Sequence, residues 1–258
     1  MSMKIPVLVY HNVVSSSELS RMSLRGQFYT ISWNRFDEHL RFLREQAFRT
    51  VEIETPIPEC RNPVILTFDD GLKSAYRCHL SLMESGFRAI FFIATDFVGR
   101  DSYLSWEEIR EMDSHGMSVQ SHTCSHPILS ALGPEQIKME FSLSKAVLEE
   151  KLGHKVDSLS IPQGFWNREI IDTARMCGYD YIFTSQPGLY LVGSGATVPR
   201  LSIYGRTTDS SFRRLVRRNP YEIARQRTRK LILGLPKRLL GAQNYHRVRQ
   251  HILRMLDR

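Results

Sequence analysis

Short apolar runs rich in β-branched and aromatic residues recur along the chain at Ile5 to Tyr10, Val64 to Phe68, Ala89 to Thr95, Met117 to Ser121, Leu159 to Pro162, Tyr179 to Thr184 and Thr197 to Ile203. Apolar runs of this length predict strands buried on both faces. Between many of them the period lengthens to that of a helix. Trp33 to Gln46 places Phe36, Leu40 and Leu43 on one face, and Ser105 opens a second helix with Glu108 completing a capping box. A longer helix is predicted from about Pro134, suited to a first helical position, to Leu152, with Gly153 as its stop and Ile137, Phe141 and Leu148 facing inward. Asn167 is predicted to cap the next helix, which ends near Gly178. Strand followed by helix, repeated, predicts a parallel sheet with helical crossovers. A chain of 258 residues favours a closed or nearly closed barrel over an open sheet. The expected fold is therefore α/β, a distorted (β/α) barrel of about seven strands, one for each apolar run.

Two stretches break this rhythm. Ser15 to Gln27 is polar, serine-rich and aperiodic, which predicts a mobile loop after the first strand. After Gly205 the pattern becomes that of basic amphipathic helices interrupted by Pro220 and Pro236. The expected organisation is a catalytic barrel over residues 1–205 and a basic helical C-terminal extension over residues 206–258.

Composition narrows the class. An apolar fraction of 42% with 24% charged residues is that of a folded soluble chain, and no segment approaches the roughly 20 apolar residues of a membrane span. The run Ile5 to Tyr10 is too brief for the apolar core of a secretory signal, which leads to an expected cytoplasmic location. Cys60, Cys78, Cys124 and Cys177 are widely spaced, so neither a disulfide framework nor a zinc knuckle is indicated. The net charge of +8 is concentrated late, where Arg213, Arg214, Arg217, Arg218, Arg225, Arg227, Arg229, Lys230, Lys237 and Arg238 crowd together. Such a segment is either a solvated helical face or a surface for an anionic partner. With Leu231 to Pro236 among the arginines, peripheral contact with the inner face of a membrane is the expected form of that partnership. No aromatic stacking platform or base-reading motif accompanies the arginines, so nucleic acid is not an expected partner.

The candidate chemistry follows two of the predicted strands. Val64 to Phe68 ends in Asp69, Asp70 and Gly71; neighbouring side chains of a strand diverge, so two aspartates at its end can reach different atoms of one site. Taken alone, Asp-Gly is also an ordinary turn. Met117 to Ser121 is followed by His122-Thr123-Cys124-Ser125-His126-Pro127. Two imidazoles four apart fall on one side of a helical turn, the spacing with which helical zinc sites grip one ion, while Cys124 points away from that side. One carboxylate and two imidazoles leave coordination positions open, the pattern of a catalytic rather than a structural metal site.

Thr67-Phe68-Asp69-Asp70-Gly71 and His122-Thr123-Cys124-Ser125-His126 resemble the first two motifs of the polysaccharide deacetylase family, the NodB-homology or carbohydrate esterase 4 group, over roughly Ile5 to Tyr204. The resemblance implies a distorted (β/α) barrel and hydrolysis of the N-acetyl amide of N-acetylhexosamine units in a glycan. It implies Asp69 as catalytic base, and Asp70, His122 and His126 as ligands of a divalent metal, with Zn²⁺ the expected ion. The family's third motif, an arginine before a Pro-aromatic-Gly turn, falls at Ser160-Ile161-Pro162-Gln163-Gly164, where the arginine and the aromatic are missing. Pro162, Gln163 and Gly164 are the expected substrate-binding residues, and Arg200, in the last strand, is the candidate replacement for the arginine.

No late Leu-x-His motif is found, since His246 and His251 lie in the basic tail. The opening Tyr10-His11-Asn12 is similar to that of the poly-N-acetylglucosamine deacetylase branch, which implies His11 as general acid. His11, Asp69, Asp70, His122 and Gly164 each follow a predicted strand, so a parallel barrel gathers them on its carboxyl-end face, where barrel enzymes hold their sites. His79 and His115 fall within or at the end of predicted helices and are read as structural. A nascent or lipid-linked exopolysaccharide intermediate is the expected substrate. The alternatives are a deformylase or other amide hydrolase acting on an amino sugar, or a noncatalytic carbohydrate-binding scaffold.

Overall fold

The structure is a computed structural model that describes residues 3–53 and 61–232. The barrel strands are β1 (Val7–Tyr10), β2 (Pro63–Phe68), β3 (Ile90–Ile93), β4 (Ser118–Ser121), β5 (Ser158–Ser160), β6 (Tyr181–Phe183), β7 (Thr197–Val198) and β8 (Leu201–Ser202). Their order is β7-β6-β5-β4-β3-β2-β1-β8, every neighbour parallel. β7 and β8 are consecutive in the chain, separated by Pro199 and Arg200, yet they pair with opposite ends of this order. The stretch 197–202 thus closes the sheet on itself as a seventh stave. It was predicted as one strand; a proline without a backbone donor divides it in two.

Helices cover the outside: α1 (Trp33–Glu45), α2 (Ser74–Glu84), α3 (Trp106–Ser114), α4 (Pro134–Leu152), α5 (Arg168–Met176) and α6 (Asp209–Val216). Their predicted termini coincide with observed caps. Ser105 and Glu108 form the capping box of α3, Asn167 caps α5, and α4 runs from Pro134 to a left-handed Gly153.

Side-chain alternation along each strand sorts the core into two layers. Leu8, Tyr10, Leu66, Phe68, Phe91, Ile93, Val119, Leu159, Ile182 and Leu201 face outward under the helices. Val7, Ile65, Ile90, Phe92, Phe183 and Val198 fill the lower barrel interior, closed beneath by the antiparallel pair Lys4–Ile5 and Tyr190–Leu191.

Ser15 to Gln27 departs from expectation. It forms two short helices, Ser16–Arg21 and Leu24–Phe28, because Ser15 and Glu18 make a reciprocal capping box and Ser23 accepts from the Gly26 amide. Local capping supplies order where no buried face does.

The basic segment begins inside the main core. Phe212, Leu215, Val216 and Ile223 join the outer layer, and Phe212 stacks on His39 of α1 at 3.7 Å. Asn219 caps a further helical stretch over residues 220–232, which begins at Pro220. Cys60, Leu233 to Pro236, Lys237, Arg238, His246 and His251 lie outside the described residues. No helix among the described residues is long and apolar enough to cross a membrane.

Candidate metal-dependent active site

The inward alternation that fills the lower barrel continues upward into polar residues. On β2 it runs from Ile65 through Thr67 to Asp69, on β1 from Val7 through Val9 to His11, and on β4 through Gln120 to His122. Each candidate is thus the inward position just beyond its strand's carboxyl end.

Asp69 is buried and held by Arg200, itself only 1% exposed. Nη1 and Nη2 of Arg200 donate to Oδ1 and Oδ2 of Asp69 at 2.7 and 2.8 Å, a bidentate fork. Ser160 donates to Asp69 Oδ2 at 3.1 Å and accepts from Arg200 at 2.8 Å, while Thr67 and the Thr184 carbonyl take further guanidinium hydrogens. The guanidinium lies 5.6 and 5.8 Å from the rings of Phe92 and Phe183, on the apolar floor. Burial alone would raise the Asp69 pKa; Arg200 and His122 outweigh it and hold the carboxyl below its usual range. Arg200 thus engages Asp69 from β7–β8, whereas the third-motif turn contributes only the small Ser160 beside that carboxylate.

Asp70 reaches the site for a reason the strand pattern does not contain. Its φ is +78° and that of Gly71 is +69°, so the chain leaves β2 in the left-handed region and turns Asp70 toward the histidines. Its Oδ1 lies 3.3 Å from Nε2 of both His122 and His126. Burial opposes ionisation of Asp70, but hydrogen bonds from the two histidines keep its pKa well below normal.

The expected helical turn at 122–126 is absent. Thr123 and His126 have positive φ, and an irregular loop brings the two rings to 4.8 Å. Glu140 of α4 pins this loop, accepting from the amides of Cys124 and Ser125 at 2.8 and 3.0 Å and from the Ser125 hydroxyl at 2.6 Å. Cys124 does turn away, its sulfur meeting the Glu140 carbonyl. His122 Nδ1 donates to the Ser160 carbonyl at 2.8 Å, which leaves the Nε2 lone pair free for a ligand. Burial lowers the His122 pKa, but Asp69 and Asp70 raise it overall.

The ligand atoms of Asp70, His122 and His126 lie within 4.8 Å of one another. A tetrahedral ion with bonds of about 2.1 Å spaces its ligand atoms by about 3.4 Å. The two 3.3 Å separations fit that spacing, and a carboxylate with two imidazoles suits Zn²⁺. The donor set therefore fits a divalent metal and leaves positions open.

His11 stands beside this centre, its ring 4.9 Å from that of Tyr29 and its buried Nδ1 without a partner. Burial depresses its pKa against the pull of Asp70 and Asp69. Pro162, Gln163 and Gly164 form a short turn beyond β5, with Gln163 at φ +55°. His79 and His115 contact each other at 3.3 Å within the α2–α3 layer. Sequence reasoning missed Glu140, Ser160 and Tyr103, whose hydroxyl feels the Asp70 charge. Ser160 alone left a signal, as the small residue in the altered third motif.

A family model described as polysaccharide deacetylase matches residues 57–182, which contain both metal-ligand motifs. The chain is 28% identical over 193 residues to the putative polysaccharide deacetylase YxkH of Bacillus subtilis, covering 72% of this chain and 66% of that protein. It is 28% identical over 118 residues to a chitooligosaccharide deacetylase of Sinorhizobium fredii, covering 45% of this chain and 53% of that protein. The chain thus spans less than two thirds of the length of both relatives. In three dimensions it is similar to the deacetylase PplD of Streptococcus pyogenes, with a TM-score of 0.75 at 22% identity over 84% of this chain and 99% of the other. The closed parallel barrel and the converging aspartate and histidine motifs agree with that likeness, and the chain is similar to polysaccharide deacetylases in sequence over residues 57–182 and in fold.

Proposed function

We propose that this protein is a metal-dependent hydrolase that removes the acetyl group from N-acetylhexosamine units of a glycan. The family hydrolyses N-acetyl amides, a carbon–nitrogen bond outside peptides, and is metal-dependent. One observation carries the reading for this chain: an ionised carboxylate, Asp69, is fixed by Arg200 beside a separate Asp70–His122–His126 ligand set. A binding module has no use for that second carboxylate, whereas hydrolysis does.

Asp70, His122 and His126 would hold a divalent ion, with Zn²⁺ the proposed metal, which would supply Lewis acidity, lowering the pKa of a water toward neutrality and polarising the acyl carbonyl. Asp69 takes the proton of the attacking water. Its ionised form is kept available at neutral pH by the Arg200 fork, and its rotamer is locked by that fork and by Ser160. His11, beside this centre, gives a proton to the departing amine. His122 keeps its ligand tautomer through the Ser160 carbonyl, so one residue, Ser160, orients both the base and a metal ligand. The products are a free amine on the sugar and acetate.

The substrate we infer is a nascent or lipid-linked exopolysaccharide intermediate, met at the inner face of a membrane. Support comes from the arginine-rich composition of residues 213–230, a net positive segment of the kind that anionic surfaces attract. The test is acetate release from N-acetylglucosamine oligomers by zinc-loaded parent and Asp69→Asn. Loss of a general base costs on the order of a thousandfold, so the variant should keep its zinc and lose about that much rate. Equal rates, or release of formate from N-formyl but no acetate from N-acetyl oligomers, would overturn the assignment.

A further inference from the structure

The arginines of the C-terminal segment divide into two kinds. Arg214 and Arg225 both pair with Glu222, Arg217 reaches Gln46 and lies on the Phe42 ring, and Arg227 donates to the Pro187 carbonyl. These are satisfied by the protein itself. Arg229 is not: its Nε and Nη2 are buried atoms without a hydrogen-bond partner, and no ion pair includes it or Lys230 among the described residues.

The place of these two cations follows from the helical stretch 220–232. Gln226 bonds both the amide and the carbonyl of Ser202, at 3.1 and 2.9 Å, which lays the helix along the carboxyl end of β8. Arg229 and Lys230, three and four residues on, lie within one turn of Gln226 on this helix. The Arg229 guanidinium stacks at 4.9 Å over Phe28 and 5.3 Å over Tyr204. Those rings lead to the site through Tyr29: Tyr204 lies 6.1 Å from Tyr29, and Tyr29 lies 4.9 Å from His11. The wall is rigid because Gly205 is wedged against residues 27–30, where a Cβ would stand 2.1 Å from the Gln27 carbonyl oxygen. Lys230 is half-buried on the same side, its pKa pushed down to about 8 by burial and then by Arg200.

Stacking occupies the face of a guanidinium and leaves its edge for ligands. An edge with two desolvated N–H groups and no acceptor is arranged for a pair of anionic oxygens, and a second cation on the same turn strengthens that preference. We propose that Arg229 and Lys230 form an anion subsite on the rim of the mouth, which takes a carboxylate or phosphate carried by the same glycan whose acetamido group reaches His11 and Asp69. The proposal rests on the deacetylase reading and adds a charge to its substrate: the preferred glycan is acidic, bearing either a uronate or a phosphodiester next to the N-acetylated sugar.

Three oligomers test it with the full chain loaded with zinc: neutral N-acetylglucosamine oligomer, the same oligomer phosphorylated at its reducing end, and an alternating glucuronate–N-acetylglucosamine oligomer. The quantity read is the ratio of kcat/KM for each acidic oligomer to that for the neutral one. In Arg229→Gln/Lys230→Gln this ratio should fall about tenfold, through KM, for whichever acid the subsite serves. Arg229→Lys, which keeps the charge and loses the fork, should fall between and decides the matter if the double variant does not fold. A ratio unchanged for both acids overturns the subsite. If the parent releases acetate from none of the oligomers, that failure belongs to the deacetylase reading. Calorimetry of the metal-free chain with sodium phosphate then decides: binding weakened in the variants supports the subsite, and binding that is equal or absent overturns it.

Discussion

The lower and upper halves of the barrel interior are built by the same strands and obey the same two-residue alternation, yet they are chemically opposite. Below, Val7, Ile65, Ile90, Phe92, Phe183 and Val198 pack as a dry plug. Above, the inward positions include Thr67, Asp69, Ser160, His122 and Arg200, all held by hydrogen bonds, with His11 beside them. The site's rigidity comes from this contrast. The apolar floor excludes water from beneath the Arg200–Asp69 pair, so the pair acts in a medium where a misplaced charge is expensive and a fixed one is strongly felt. Burying two charges brings little net stability in itself. Its value here is orientation of a carboxylate whose proton affinity matters.

The sharpest way to break this comparison is to strand one charge on the floor. Arg200→Ala leaves Asp69 buried without its partner, and stability should fall by about 3–5 kcal/mol in urea unfolding, together with activity. The double variant Arg200→Ala/Asp69→Asn should regain part of that stability, because no buried charge is left uncompensated. A double variant no more stable than the single would mean that the network acts through packing alone.

A smaller effect is expected from the plug. Ile65→Val removes one methylene group from the lower half and should cost about 1 kcal/mol of stability, leaving acetate release per folded molecule unchanged. A loss of rate larger than the loss of folded protein would show that floor and site are not separable.

The alternation that divides the two halves was readable in the sequence, and it carried most of the fold. The seven apolar runs became seven staves, and the helix caps at Ser105, Asn167 and Gly153 stand where local chemistry predicted them. His11, Asp69 and His122 were legible at strand ends for the same reason, and Arg200 only as a candidate arginine within the last predicted strand. Asp70 and His126 were legible only as residue types in a motif. Their convergence depends on left-handed backbone at positions 70, 123 and 126, which periodicity cannot express, and the helical turn inferred for the histidines was the wrong local geometry. The Glu140 clamp was hidden because a carboxylate on a long helix looks like any solvated one until its partners' amides are placed. The order in residues 15–28 was missed for a related reason: capping by Ser15, Glu18 and Ser23 has no hydrophobic period to announce it.

One carboxylate and two imidazoles, delivered by separate turns at the top of a closed barrel, are proposed to hold a single cation. Titration of the metal-stripped chain with zinc, followed by calorimetry in parent and Asp70→Ala, tests it most directly. One ion should bind per parent chain, with binding at least about a hundredfold weaker in the variant. A parent that takes up no zinc, or a variant that binds it equally well, would contradict it.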